Sequence, residues 1–192
     1  MTSASGMVTL IHGNELDGTG FPKDESGLFW GGSNCEISAS SPKFGSGCIF
    51  STEGAGVLNH DMTDAHNFLS DDFTIEAWVK MDIQDTVRLF ALGSQSNESG
   101  AYGYRYFINW TYTHTYAVFE VVNDGVTIFY EEQDIGSCLT SGVWCHLCFV
   151  KEGTKAYAFV NGTLEYTFND VPATMPDIDL NTNEGSRIIS LL

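Results

Sequence analysis

Carboxylates on alternate residues of one β-strand project from the same face. On an extended scaffold they can flank a glycosidic bond, with acid and nucleophile about 5–5.5 Å apart in a retaining enzyme. Three acidic segments invite that test. In Phe119-Glu120-Val121-Val122-Asn123-Asp124 only Glu120 falls on a strand, with apolar residues where a partner would stand. Glu131-Glu132-Gln133-Asp134 reads as a surface charge run, and Glu76 stands alone on its strand. Sugar hydrolysis therefore ranks below binding, and no catalytic residue is assigned. Other chemistry has less footing. The sequence has no Gly-x-Ser-x-Gly elbow, no phosphate-cradling glycine loop and no His-Glu-x-x-His helix. His12, His60, His66, His114 and His146 show no ligand spacing, and His146 reads as a satisfied core or sheet residue.

The five cysteines are Cys35, Cys48, Cys138, Cys145 and Cys148, an odd number that cannot pair fully within the chain. Cys145-x-x-Cys148 has the spacing of a metal or redox motif. It lies inside the apolar run Val143 to Val150, which reads as a buried strand. Three residues apart on a strand, two sulfurs point to opposite faces, so both read as small, free, buried packing residues. Cys35 and Cys48 sit on the two arms of one hairpin and are the pair better placed to bridge.

Recognition has stronger support. Tyr102, Tyr104 and Tyr106 alternate along a strand, and Trp110, Tyr112 and Tyr116 follow, interleaved with Asn109, Thr111, Thr113 and His114. Flat aromatic faces stack on sugar rings, while amides and hydroxyls orient them. The ligand-binding set is therefore Tyr102, Tyr104, Tyr106, Asn109, Trp110 and Tyr112; the competing reading is a cross-strand aromatic ladder in the core. The acidic pairs Asp61/Asp64, Asp71/Asp72 and Asp177/Asp179 could give oxygens to a Ca²⁺, although no twelve-residue Ca²⁺ loop is present. The sequons at Asn97, Asn109 and Asn161 are short motifs that arise by chance.

These residues must be held by strands. The 192-residue chain is 43% apolar and 17% charged, too poor in Lys, Glu and Arg for helices of any length, and 13 Phe, 8 Tyr and 20 Gly favour strands and turns. In Asp72 to Met81, Phe73, Ile75, Ala77 and Val79 share one face, which is expected to be core in a central, well-buried strand. Further strands are expected at Met7–His12, Thr86–Leu92, Tyr102–Asn109, Tyr116–Val122, Val126–Tyr130, Val143–Lys151, Ala156–Val160 and Thr163–Phe168. Asn123-Asp124-Gly125 and Asn161-Gly162 supply hairpin turns. One weak helical turn is expected near Asp61 to Leu69. Short strands at even spacing argue an antiparallel sandwich, taken as one domain over residues 1–192.

The net charge of −17, from 25 acidic and 8 basic residues, repels a phosphate backbone, so nucleic acid is excluded, as is an anionic membrane surface. No stretch approaches the ~20 apolar residues of a membrane span. Met1 to Met7 has neither a basic n-region nor an apolar h-region. The expected location is a virion or extracellular surface, reached from the cytoplasm without a signal peptide.

Four segments carry a resemblance. They are Leu10-Ile11-His12-Gly13 with Asp24-Glu25-Ser26-Gly27; Ser41-Pro42-Lys43-Phe44-Gly45-Ser46-Gly47-Cys48-Ile49-Phe50; Asp72-Phe73-Thr74-Ile75-Glu76-Ala77-Trp78-Val79-Lys80; and Gly142-Val143-Trp144-Cys145-His146 through Phe159-Val160-Asn161-Gly162. Over roughly residues 7 to 170 the chain resembles the laminin-G-like family of the concanavalin A-like lectin/glucanase superfamily. The resemblance implies an all-β fold, an antiparallel β-sandwich of jelly-roll type. The family usually closes with a further strand after a segment like Arg187 to Leu192. Either that segment fills the place or an edge is left open. The function expected is a non-catalytic surface recognition or adhesion module for carbohydrate or protein, part of a phage or viral particle as fibre, tail or capsid decoration. The alternative is a purely structural decoration or oligomerisation domain, with other subunits of an assembly as partners. A glycoside hydrolase ranks third. No cofactor is assigned beyond a possible Ca²⁺.

Overall fold

The computed structural model describes residues 11–12, 23–24, 30–51, 57–61, 68–81, 86–93, 102–110, 114–136, 138–178 and 188–191. The strands in chain order are β1 (Ile11–His12), β2 (Lys23–Asp24), β3 (Gly31–Ser33), β4 (Cys35–Ser38), β5 (Cys48–Ser51), β6 (Val57–Asp61), β7 (Phe73–Lys80), β8 (Thr86–Gly93), β9 (Gly103–Trp110), β10 (Thr115–Asn123), β11 (Val126–Asp134), β12 (Trp144–Glu152), β13 (Lys155–Val160), β14 (Thr163–Phe168) and β15 (Ile188–Leu191). The fold is all-β, an antiparallel sandwich of jelly-roll type, with no helix among the described residues. Its contacts gather into two compact units, Met1–Asp61 with Ile189–Leu192, and Met62–Ile188.

In the first unit β1 pairs with β2, β4 with β5, and β3 with β6, all antiparallel. β15 lies beside β6, so the segment ending the chain supplies a strand itself. Cys35 faces Ser51 across the β4–β5 ladder and Cys48 faces Ser38. The hairpin is as expected, but the register sets the two cysteines three positions apart. That is roughly 10 Å along the ladder, beyond the reach of a disulfide.

In the second unit β11, β10, β9 and β8 lie side by side, and β14, β13, β12 and β7 form the facing sheet. Between them sits an aromatic core. Phe149 of β12 is fully buried, with Tyr106 at 4.6 Å, Phe119 at 4.8 Å and Phe90 at 5.4 Å between ring centroids. Phe73 and Phe168 extend the cluster along the sheets. Each such ring contributes about 1.5–3 kcal/mol by leaving water, and the rings come one or two to a strand, with Ala117, Val121 and Leu147 filling the positions between them.

Three expectations are corrected. β7 is the last strand of its sheet, not a central one. Phe73 and Val79 are buried as expected, but Ile75 and Ala77 are only half-buried, because one side of an edge strand lacks a neighbour. The strand expected over Val126–Tyr130 continues to Asp134, so the charge run Glu131-Glu132-Gln133-Asp134 lies on β11, with Glu132 and Asp134 at the surface. Cys145 is buried and Cys148 half-buried on opposite faces of β12: the alternation holds, but Cys148 is not core. The helical turn near Asp61 to Leu69 falls largely on residues outside those described.

Candidate functional site

The residues expected to bind ligand fall on different faces. Tyr104 and Tyr106 point inward and are 0% exposed, so neither ring has a face to offer a sugar. The core ladder is the correct reading for both: the inward face of β9 packs on Phe73 and Phe149 and takes all the apolar area it can reach. Tyr102 is half-buried just before β9. Asn109 is half-buried on the outer face of β9, opposite Tyr116 of β10. Trp110 ends β9, but its side chain, like the whole of Tyr112, lies outside the described residues.

The outer face of β9, β10 and β11 carries a constellation that the sequence did not announce. Arg105 lies directly opposite Glu120, and its Nε donates to Glu120 Oε2 at 2.6 Å. A charge-assisted bond of that length is among the stronger kinds. Glu120 is 9% exposed, between Val118 and Val122, both at 0% on the same face of β10. Its second oxygen, Oε1, accepts from Thr127 Oγ1 at 3.4 Å. Both oxygens of Glu120 are thus engaged, and the carboxylate is a fixed anchor. Arg105 also lies over the Phe107 ring, 5.2 Å from its centroid.

A bulge completes the face. Val121 pairs with Phe129 and Val122 with Thr127, leaving Ile128 as the extra residue of β11. Without it Thr127 and Tyr130 would point to opposite faces; with it both flank Glu120. Tyr130 is 54% exposed and donates to Glu132 Oε2 at 3.0 Å. Burial, the bond to Glu132 and the charges of Glu132 and Glu120 push its hydroxyl above the usual phenol range, against the pull of Arg105. It therefore stays a donor at neutral pH. At the far end His114 Nδ1 meets Asp134 Oδ2 at 2.6 Å, and Asp134 Oδ1 accepts from Gly136 N at 2.8 Å. The face is buried at Val118, Glu120 and Val122 and open around Tyr130, where one aromatic ring stands beside the Thr127 hydroxyl and the partly exposed Arg105 guanidinium. That combination suits a neutral polyol.

Arg105, Glu120, Thr127, Tyr130 and Glu132 were missed because they meet across strands. Alternation along one strand finds Glu120 flanked by valines; only the register reveals Arg105 and Tyr130 beside it.

Among the described residues no group of three His, Cys, Asp or Glu could share a metal. Asp72 Oδ1 accepts from Gly153 N at 2.8 Å, a loop-pinning role. Asp64, Asp179 and the side chain of Asp61 lie outside the described residues. On the opposite sheet Trp144 and His146 share one face, as expected. His146 packs against Trp78 with 5.1 Å between rings, and its Nε2 lies 3.4 Å from Glu76 Oε2, which fits a sheet residue.

Residues 55–186 match the laminin-G family model described as the concanavalin A-like lectin/glucanases superfamily. No match was found among curated protein sequences. Among solved structures, domain 4 of AbnA, a GH43 extracellular arabinanase from Geobacillus stearothermophilus in complex with arabinotriose, is 14% identical, with TM-score 0.53, covering 88% of this chain and 76% of that one. The Ruminococcus gnavus IT-sialidase CBM40 bound to alpha2,3 sialyllactose is 17% identical, with TM-score 0.45, covering 62% of each chain. A Bacillus licheniformis beta-glucanase is 11% identical, with TM-score 0.41, covering 99% of this chain and 80% of that one. The chain thus spans less than two thirds of the sialidase module, and at these identities the likeness is one of fold.

Proposed function

The chain belongs to the concanavalin A-like lectin/glucanases superfamily, and from that premise we propose that it is a non-catalytic module that binds carbohydrate through the outer face of β9, β10 and β11. The observation that carries the reading is the Arg105–Glu120 pair, 2.6 Å apart, with the exposed ring of Tyr130 on the next strand directly opposite Glu120. The ring supplies stacking, and the Arg105 guanidinium, held in place by Glu120, supplies orientation together with Thr127. The superfamily's name covers sugar cleavage as well as sugar binding. Glu120, held at both oxygens, is poorly placed to shuttle a proton, which favours binding. The arabinanase domain of like fold, solved with arabinotriose, makes short arabinose oligosaccharides the first ligands to try.

A single stacking contact is worth about 0.5–1.5 kcal/mol beyond burial, so one site binds weakly and useful attachment needs several copies on one particle. Residues 1–192 acting as one domain on a virion or extracellular surface would meet that need. If Ca²⁺ takes part, its ligands would come from the acidic pairs Asp61/Asp64, Asp71/Asp72 or Asp177/Asp179.

The test is a glycan array followed by titration of the best ligand, with and without Ca²⁺. Tyr130→Ala removes an exposed ring and leaves the core alone; it is expected to weaken binding roughly 3–10-fold. Arg105 is a poor first choice, because its loss would strand Glu120 in a buried setting. Unchanged affinity in Tyr130→Ala, with the fold intact, would place the sugar elsewhere. Release of reducing sugar that is lost in Glu120→Gln or Glu132→Gln would replace the binding reading with a hydrolase.

A further inference from the structure

The sheet of β14, β13, β12 and β7 has an outer face that the sugar site does not use. Strand alternation sends to it Trp78, Trp144, Val150, Tyr157, Phe159 and Leu164. Trp78 is 40% exposed and Leu164 49%. Tyr157 and Phe159 lie side by side with 6.5 Å between rings. A contiguous aromatic face of this kind on a water-soluble domain marks a docking surface.

Its charge says what docks there. Apart from Glu165 at the bulge of β14, alternation places four charged residues on this face: Glu76, Glu152, Lys80 and Lys155. Two acids against two lysines make it neutral, in a chain whose net charge is −17 with only 8 basic residues in all. The outer edge at β11 is the reverse, carrying Glu131, Glu132 and Asp134. Two copies of so acidic a chain repel through most of their surface. The neutral face is where they approach with the least of that penalty, and a twofold axis can set the lysines of one copy toward the acids of the other.

The area is sufficient. Four strands about 4.8 Å apart and about 20–30 Å long present on the order of 500 Å² a side, or roughly 1,000 Å² buried in total, the lower bound for a specific interface. We infer that this face docks a second copy of the chain, sheet against sheet, in a twofold dimer of moderate affinity.

Sedimentation equilibrium of the full chain without sugar tests this. The expected result is a monomer–dimer equilibrium in the micromolar range. It should tighten as NaCl rises from about 20 to about 300 mM, because salt screens the repulsion between copies. Lys155→Glu, on an exposed residue beside a turn, and Leu164→Glu should each raise the dimer Kd at least tenfold. If Leu164→Glu loses its circular dichroism signal, Lys155→Glu decides. Tyr130→Ala, which probes the sugar site, should leave the dimer unchanged, so the two readings fail separately. A chain that stays monomeric at about 1 mM overturns the inference, since even weak specific contacts show there. So does a dimer indifferent to both variants. A monomer whose glycan capture is abolished by Leu164→Glu also overturns it, and would make this face a sugar platform.

Discussion

The hydroxyl of Tyr104 is hydrogen-bonded to the backbone of Phe68, whereas that of Tyr106, two residues on along the same buried face, has no partner among the described residues. A buried hydroxyl without a partner costs about 1–3 kcal/mol of desolvation, while a satisfied one contributes about 1 kcal/mol net. The same atom deletion should therefore have opposite signs. Tyr106→Phe is expected to raise unfolding free energy by about 1 kcal/mol, and Tyr104→Phe to lower it by about as much. Urea midpoints at constant m-value read this directly. Equal losses in both variants would mean that Tyr106 bonds a group outside the described residues, or a buried water. The two residues also show how a correct feature can be assigned to the wrong face. Their alternation was legible, but alternation alone does not say which side is wet.

At the scale of elements, turns were the most legible feature, because their chemistry is local. Asp124 and Gly125 have φ of 49° and 73°, and Asn161 and Gly162 of 50° and 81°, the left-handed pairs a two-residue hairpin demands. Gly162 has open space where a Cβ would stand, so Gly162→Ala should cost only the backbone strain, about 1–2 kcal/mol. Gly93 also has positive φ, at +71°, but a Cβ there would lie 2.2 Å from the backbone oxygen of Tyr102. Neither strand can yield without breaking the β8–β9 ladder. Gly93→Ala is accordingly expected to cost about 3 kcal/mol or more. Thermal unfolding of the pair settles it; similar losses at both sites would show that the β8–β9 end is free to shift. Nothing near Gly93 in the sequence signals the close approach, because Tyr102 arrives from the next strand. The site was hidden for the same reason. Glu120, Arg105 and Tyr130 come from three strands, and the bulge at Ile128 that turns Thr127 and Tyr130 to one face has no glycine to mark it. β11 ran longer than the expected Val126–Tyr130 because the charge run Glu131 to Asp134 gives no apolar alternation to extend it. These residues behave as strand because each pairs with a residue of β10, from Phe119 opposite Glu131 to Tyr116 opposite Asp134, and Tyr166 of β14 also donates to Glu131.

For the whole molecule, the fold's limits appear on the alkaline side. Burial pushes the Cys145 thiol from 9.0 up to about 11 and raises Cys138 and Cys148 as well. Burial likewise raises the hydroxyls of Tyr104 and Tyr106. In the unfolded chain these groups release protons near their ordinary values, 9.0 for thiols and 10.0 for phenols. Above pH 9 the unfolded state therefore holds fewer protons than the native one, and stability falls with rising pH. It should be fully present below about pH 9 and decline as pH passes through about 11, the folded value of Cys145. Each ionisation also deepens a net charge already at −17, so self-repulsion acts in the same direction. Salt separates the two contributions, because it screens repulsion between exposed charges but not the burial of a thiol or phenol. Melting temperatures measured from pH 7 to 11 are expected to hold level to about 9 and then drop, with about 0.5 M NaCl restoring only part of the loss. Cys145→Ala should flatten the first part of the decline and Tyr106→Phe the later part. A full recovery in salt would assign the decline to net charge alone. A level curve through pH 11 would show that Cys145 ionises as readily in the folded protein as in the unfolded one, and that its inward position between the two sheets is wet.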